Sequence, residues 1–206
     1  DIFLSTWTGS TWGVPANLTG PNRKRDEDPK FSPDGQHIVF KRNGALQEMN
    51  LSGTITRANI TSGTPEAGQP YYLPNGVDIL YSSGTGTAAS VNVVHSNGST
   101  QVLADYANLE DYYPVAVDAN SFYFSNVQAS GYDQVCRGFT NASAPQPLFF
   151  KSTSFDCSDP YPYSVQYMFY TSTAPAYGGY DLMLADLTGS QVWNLNDYLM
   201  DVNTSI

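Results

Sequence analysis

The sequence predicts an all-β fold, a β-propeller of four full blades plus a partial fifth, and three observations carry that prediction. Prolines recur at positions 29, 70, 114 and 160, at intervals of 41, 44 and 46 residues, the length of one four-stranded blade. The first two are followed by the corners Pro33-Asp34-Gly35 and Pro74-Asn75-Gly76, each running into alternating apolar residues. The composition agrees: 17 Gly, 13 Pro and 15 Tyr, with 41% hydrophobic and only 14% charged residues, suit short strands joined by tight turns. A chain of 206 residues buries a full core as one domain. A two-sheet β-sandwich is the alternative architecture.

In chain order, Asp1-Ile2-Phe3-Leu4-Ser5-Thr6-Trp7 matches the third-strand segment Asp181-Leu182-Met183-Leu184-Ala185-Asp186-Leu187. Residues 1–20 therefore predict the outer half of a closing blade, with Trp12 to Leu18 as its fourth strand. Blades follow over residues 26–62, 66–104, 110–150 and 156–195, and 196–206 is the closing segment. The first unit reads Asp26-Glu27-Asp28-Pro29-Lys30-Phe31-Ser32-Pro33-Asp34-Gly35 and then His37-Ile38-Val39-Phe40. Its second copy is Gly68-Gln69-Pro70-Tyr71-Tyr72-Leu73-Pro74-Asn75-Gly76 and Asp78-Ile79-Leu80-Tyr81. The third, Glu110-Asp111-Tyr112-Tyr113-Pro114 with Ser121-Phe122-Tyr123-Phe124, and the fourth, Asp156-Cys157-Ser158-Asp159-Pro160 with Tyr167-Met168-Phe169-Tyr170, lose the Pro-Asp-Gly corner. Asp or Asn followed by Gly supplies the positive φ that such a hairpin demands. If the C-terminal segment supplies one inner strand, the fifth blade keeps an unpaired edge, which invites strand donation from a neighbour.

These units resemble the TolB-like, WD-related propeller repeat, whose hallmark is an acidic-x-x-Pro loop, an aromatic residue, Ser-Pro-Asp-Gly, and a strand ending in aromatics. The match is specific in the first copy, moderate in the second and degenerate in the last two. The resemblance implies a small, secreted propeller. Some propeller enzymes similar to this family act on pectic or other polysaccharides, but they bring histidine and arginine clusters that this chain lacks.

Nine Lys plus Arg against 19 Asp plus Glu give a formal charge of −10, which repels phosphate backbones and anionic lipid, so nucleic acid is not an expected partner. No apolar run is long enough to span a bilayer, and the opening at Asp1 without Met or a signal-like stretch fits a processed chain or a trimmed one. Six sequons begin at Asn17, Asn50, Asn59, Asn97, Asn141 and Asn203. Their number points to a eukaryotic secretory route and glycosylation, a Ser/Thr/Asn-rich bacterial surface protein being the other reading. Cys136 and Cys157 lack metal-cluster or CxxC spacing. One disulfide, worth roughly 3 kcal/mol by loop closure, is expected, with two buried thiols as the alternative.

No Gly-x-Ser-x-Gly elbow, Ser-x-x-Lys motif or His-Glu-x-x-His motif occurs, and the two histidines, His37 and His95, read as structural or surface residues. The expectation is a protein without catalysis. Gly84-Thr85-Gly86-Thr87 lacks the Lys of a phosphate loop and reads as a hairpin tip, and Arg23-Lys24-Arg25 abuts Asp26-Glu27-Asp28 as a self-compensating loop or a processing site. Acidic residues recur where each first strand begins: Glu27, Asp28, Glu66, Glu110, Asp111, Asp156 and Asp159. Tyr71, Tyr72, Tyr112, Tyr113, Tyr161 and Tyr163 accompany them. Converging carboxylates hold calcium or accept sugar hydroxyls, and tyrosine faces stack on sugar rings. Capping of loop amides by the acids and packing of the rings between blades are the alternatives. No cofactor is expected beyond calcium.

The candidate ligand-binding set is Glu27, Asp28, Tyr71, Tyr72, Glu110, Asp111, Tyr112, Asp159 and Tyr161. The expected function is an extracellular recognition or assembly module that binds a glycan or a protein through propeller-face loops. Its rivals are a self-associating surface or filament subunit, joined through the incomplete blade, and a polysaccharide-acting enzyme.

Overall fold

The computed structural model describes residues 1–21, 24–148, 152–174, 179–188 and 191–196. The predicted closing segment beyond residue 196 and the sequon at Asn203 lie outside the described residues. Four four-stranded antiparallel sheets follow one another, each a simple meander, and a two-stranded sheet precedes them. The N-terminal pair is β1 (Phe3–Leu4) and β2 (Ala16–Asn17). Blade I is β3 (Asp26–Phe31), β4 (His37–Arg42), β5 (Ala45–Asn50) and β6 (Ile55–Arg57). Blade II is β7 (Ala67–Tyr72), β8 (Ile79–Ser83), β9 (Ser90–Val94) and β10 (Thr100–Ala104). Blade III is β11 (Asp111–Ala116), β12 (Ser121–Val127), β13 (Asp133–Phe139) and β14 (Gln146–Pro147). Blade IV is β15 (Cys157–Pro162), β16 (Tyr167–Ser172), β17 (Asp181–Asp186) and β18 (Gln191–Asn194). The fold is the all-β propeller architecture that the repeat predicts. Gly86–Ala88 forms a short helical turn, and among the described residues no helix is long and apolar enough to cross a membrane.

The four anchoring prolines occupy one structural position. Each first strand carries a bulge there, two residues standing opposite one: register shifts between Glu27 and Lys30, Gly68 and Tyr71, Tyr112 and Val115, and Ser158 and Tyr161. The residue before each proline is left-handed, with φ of 53° at Asp28, 50° at Gln69, 55° at Tyr113 and 52° at Asp159. A bulge turns an amide off the ladder, so that amide needs another acceptor. The preceding blade supplies it. Gln69 N–H donates to Asp28 Oδ2 at 3.1 Å, Tyr113 N–H to Gln69 Oε1 at 2.9 Å, and Asp159 N–H to Ser125 Oγ at 2.9 Å.

Strand alternation then places apolar residues on both faces of each blade. In the second strands, Ile38, Ile79, Phe122 and Met168 face the preceding sheet, while Val39, Leu80 and Tyr123 face the following one. The core is therefore a series of slabs between blades. Ile2 and Leu18 of the N-terminal pair pack on Ile38, Phe40 and Met49, and Val39, Leu46, Tyr72 and Ile79 fill the space between blades I and II. Each fully buried Phe, Leu or Ile contributes roughly 1.5–3 kcal/mol. Two buried polar contacts join strands here: Tyr72 donates its hydroxyl to Glu48 Oε2 at 2.9 Å, and Arg42 grips Asp26 at 2.6 and 2.9 Å.

The expected disulfide does not form: Cys136 and Cys157 are buried thiols. Cys136 packs among Leu80, Phe122 and Phe124 between blades II and III, whereas Cys157 packs with Val135, Met168 and Tyr170 between blades III and IV. The sheet of blade III separates the two sulfurs, and strand parity puts them there.

Gly138 pairs with Phe122 across β12 and β13, and the Phe122 ring lies over the space a Cβ would take. Gly138→Ala overpacks this slab, and urea denaturation is expected to show a loss of about 1–3 kcal/mol with unchanged m-value.

Candidate functional site

By topology, the starts of the first strands and the hairpins between second and third strands share one face, the entrance face. The Pro-Asp-Gly corners and the hairpins between third and fourth strands share the other, the corner face. The entrance face holds a basin of about 190 Å³ at the junction of blades I and II, reached also by β11. Asp28, Lys41, Glu66, Gln69, Ser82 and Glu110 line it, with Tyr112 at its edge.

Lys41 organises one wall. It sits at the end of β4 opposite Glu27, and its ammonium lies 2.8 Å from Glu27 Oε2, 3.0 Å from Glu66 Oε1 and 4.0 Å from Asp28 Oδ2. Burial opposes the Lys41 charge, but the hydrogen bonds to Glu27 and Glu66 prevail and raise its pKa. The same bond from Lys41, then one from Arg25, lowers that of Glu27. On the opposite side of the face no cation intervenes among the described residues. Tyr112 donates its hydroxyl to Asp133 Oδ2 at 2.8 Å, and Asp133 N–H donates to Asp156 Oδ1 at 3.1 Å. Burial, then the charges of Asp156, Asp159 and Glu110, raise the Asp133 carboxyl against the Tyr112 bond. Tyr180, 67% exposed, lies close enough for Asp156 to raise its phenol.

The charge is unevenly spread along the chain. Residues 1–57 carry seven Lys or Arg against six Asp or Glu, and residues 58–206 carry two against 13. Beyond Lys151 there is no Lys or Arg at all. The entrance ends of blades II to IV thus form an acidic arc, and blade I is self-neutralised.

Of the nine predicted site residues, the structure brings Asp28, Glu110 and Tyr112 to the basin, with Glu27 tied to Lys41 beside it. Asp111 and Tyr72 do not reach it. Asp111 is wholly buried, accepting Tyr106 N–H at 2.6 Å and Asn126 Nδ2 at 2.7 Å, and Tyr72 is locked to Glu48 between blades. Tyr71 lies below the basin, half-buried against the slabs on both sides of blade III, and shares a hydrogen bond with Tyr161 of blade IV across the axis. Burial, then Tyr161, pushes the Tyr71 phenol up to about 12. Asp159 sits at the bulge of blade IV, its Oδ2 accepting the Thr171 hydroxyl at 3.1 Å. Gln69, Ser82 and Lys41 escape a search for acids and aromatics; their register with the predicted residues is the signal that finds them.

The corner face carries the sequons at Asn50, Asn97 and Asn141. In the hairpins between third and fourth strands, Asn50 accepts the backbone N–H of Ser52 at 3.0 Å and Asn97 that of Ser99 at 2.9 Å. Asn141 does so with Ser143 at 3.0 Å, and in each case the serine hydroxyl bonds the same oxygen. Blade IV makes the identical turn with Asp186 and Thr188, and Asn17 with Thr19 repeats it in the N-terminal pair. Asn-x-Ser/Thr is therefore the turn chemistry of this repeat, a structural reason for the tripeptides independent of glycans. Asn59 differs, exposed and left-handed at φ 49°. His95, read as structural or surface, pairs through Nδ1 with Asp78 at 3.1 Å in a corner-face cavity of about 210 Å³. Among the described residues no group of three or more His, Cys, Asp or Glu is arranged to hold a metal.

No protein-family model matches this sequence, and no curated protein does. Solved structures do match. TolB from Acinetobacter baumannii is 18% identical with a TM-score of 0.68, over 88% of this chain and 46% of that one. A putative TolB from Agrobacterium tumefaciens is 15% identical with a TM-score of 0.67, over 82% and 65%. A puromycin-hydrolyzing peptidase from Mycobacterium tuberculosis is 15% identical with a TM-score of 0.67, over 94% and 38%. The chain thus spans less than two thirds of each, and the likeness is one of fold. It also corrects the expectation of a protein without catalysis. The same propeller occurs within hydrolases, the puromycin-hydrolyzing peptidase and prolyl endopeptidases among them, so missing catalytic motifs do not set the chain apart from enzymes.

Burial pushes the Asp111 carboxyl up to about 6, against the hydrogen bonds from Tyr106 and Asn126. A folded-state pKa above the unfolded value means that the fold binds an extra proton as pH falls, so this group favours the fold more at pH 5 than at pH 7. Carboxyl-carbon NMR is expected to place the Asp111 midpoint near 6, where exposed aspartates titrate near 4. Asp111→Asn removes that midpoint and narrows the stability difference between the two pH values.

Proposed function

We propose that this chain is a recognition unit whose entrance face binds a basic segment of a partner polypeptide outside the cell. The observation that carries the reading is the acidic arc of Glu110, Asp133, Asp156 and Asp159, close enough together for the other three charges to raise the Asp133 carboxyl, with no Lys or Arg of blade IV to neutralise it. Lys41 provides an internal example of the chemistry. Its ammonium is held by two carboxylates of the same face, Glu27 and Glu66, with a stem sheltered from water. An arginine or lysine of a partner meets equivalent carboxylates a blade or two further on, with the Tyr180 ring beside them for its cationic head. The extracellular setting rests on exposed Asn17, Asn97 and Asn141 in sequons. The reading concerns binding by this face and holds whether or not a catalytic unit accompanies it.

A glycan ligand is the second reading, favoured by the basin itself, where Gln69, Ser82 and Thr85 stand beside Asp28 and Glu110 as partners for hydroxyl groups. The tyrosines expected to stack on sugar are largely committed elsewhere, Tyr72 to Glu48 and Tyr71 to Tyr161.

Calorimetry with an oligoarginine peptide is expected to show saturable binding that weakens about tenfold or more as ionic strength rises from about 0.05 to about 0.5 M. The variant carrying Glu110→Gln and Asp156→Asn is expected to bind at least about tenfold more weakly at low salt, with the fold intact. No binding at low salt, or equal binding by the neutralised variant, overturns the reading. Saturable saccharide binding in its place, with or without calcium, selects the second one. Intact mass before and after deglycosylation tests the extracellular setting.

A further inference from the structure

The corner face holds a cavity of about 210 Å³ between blades II and III, at the place where the apolar slab between those two blades reaches the surface. Leu73 and Val93, 6% and 2% exposed, form its floor, and Pro74 and Ala119 stand exposed at its mouth. His95 and Thr140 bring polar atoms to its walls.

Asp78 and His95 face each other across β8 and β9, one step beyond the Ile79–Val94 pair. The same position holds His37 and Asn50 in blade I, Ser121 and Phe139 in blade III, and Tyr167 and Asp186 in blade IV, so blade II alone sets a carboxylate against an imidazole there. Asp78 is well supplied with donors. Its Oδ2 lies 3.1 Å from His95 Nδ1 and accepts Asn75 Nδ2 at 3.0 Å, and its Oδ1 accepts Ser96 N–H at 3.1 Å. Burial opposes the Asp78 charge, but the hydrogen bonds from His95, Asn75 and Ser96 prevail and lower its pKa. An ionised carboxylate only accepts, so the shared hydrogen sits on His95 Nδ1 and the neutral ring presents Nε2 as a bare acceptor. The turn fixes the residue that carries the ring: His95 N–H donates to the Ser99 carbonyl, and the His95 carbonyl accepts Gly98 N–H, both at 2.9 Å. Thr140 spends its hydroxyl hydrogen on the Ala119 carbonyl at 3.1 Å, which leaves its oxygen as a second acceptor.

We propose that this cavity binds an indole ring, as a free heteroaromatic molecule or as a tryptophan side chain, with the ring N–H donating to His95 Nε2. Three properties select that ligand. The floor of Leu73 and Val93 rewards a flat apolar body with few polar atoms. An apolar cavity of ~150 Å³ takes one benzene ring, so about 210 Å³ admits a fused pair of rings. Two acceptors whose own hydrogens are engaged elsewhere call for a head that donates without accepting, and the indole N–H is a donor only. An anionic ligand would instead meet the Nε2 lone pair with the Asp78 charge behind it. The site lies on the face opposite the entrance basin and is independent of the binding proposed there.

The probe is indole itself, titrated into the full chain with methyl and imidazole-nitrogen NMR as the readout. Saturable binding with a Kd below about 1 mM is expected, with ring-current shifts of the Leu73 and Val93 methyls and a shift of the His95 Nε2 resonance. N-methylindole, the same ring without its donor, is expected to bind at least about fivefold more weakly. His95→Phe keeps an apolar wall but removes the acceptor, and the preference for indole over N-methylindole disappears. Asp78 is a positioning residue: in Asp78→Asn the side-chain amide can donate to Nδ1 and leave the hydrogen on Nε2, so indole binds more weakly and the nitrogen spectrum shows the changed tautomer. N-acetyltryptophanamide separates the two sources, since binding comparable to that of indole admits a side chain and exclusion leaves the free ring. Absence of saturation at millimolar indole, equal binding of N-methylindole, shifts confined to residues outside this cavity, or a hydrogen on Nε2 in the free protein at neutral pH each overturns the proposal.

Discussion

The arrangement of the blades depends on a backbone amide that cannot be satisfied within its own sheet. At the residue before each anchoring proline the first strand bulges into the left-handed region, a conformation unusual for Asp, Gln and especially Tyr, and the ladder loses one bond there. The amide is answered from the neighbouring blade, by Asp28, by Gln69 and by Ser125. Proline at the next position has no amide to orphan, which is why it suits this site four times over. The relay fixes how close and at what angle successive sheets stand, and the apolar slabs can then fill the space between them. Three bonds among buried or half-buried groups, each worth about 1 kcal/mol, matter more as a specification of geometry than as a sum.

The same strands that set the geometry set the electrostatics. Because first strands begin at one face, any residue type favoured at their starts is displayed there as an arc. Blade I answers its acids with Lys41 and Arg42, whereas blade IV has no cation to offer, so the field grows stronger from blade I to blade IV. Charge of one sign focused along a protein face raises the local concentration of oppositely charged groups. The buried Asp111 belongs to a different class. It occupies the position that Asp26 holds in blade I, but its partner is Asn126 where blade I has Arg42. A neutral partner leaves burial unopposed by charge.

Period, corners and second strands were legible in the chain because each is a local pattern: Pro29 to Pro160 mark the units, and His37–Arg42 and its counterparts read as strands on alternation alone. What escaped is parity across several strands. Whether Tyr71 or Tyr72 faces the axis, whether Asp111 is inside or outside, and whether Cys136 and Cys157 meet all turn on a one-residue count through a bulge that the sequence does not announce. Tripeptides such as Asn97-Gly98-Ser99 were legible as motifs and misleading as to cause, since a turn and a sugar acceptor ask for the same three residues. The corrective was already present in blade IV, where Asp186-Leu187-Thr188 fills the same place without an acceptor nitrogen.

That interchange has an evolutionary consequence. Asn and Asp close the outer hairpin equally well, through the same oxygen and the same two donors. A single base change between them therefore switches a blade between carrying and lacking an attachment point while its conformation stays put, so decoration of this rim can drift from one lineage to another without the scaffold having to readjust.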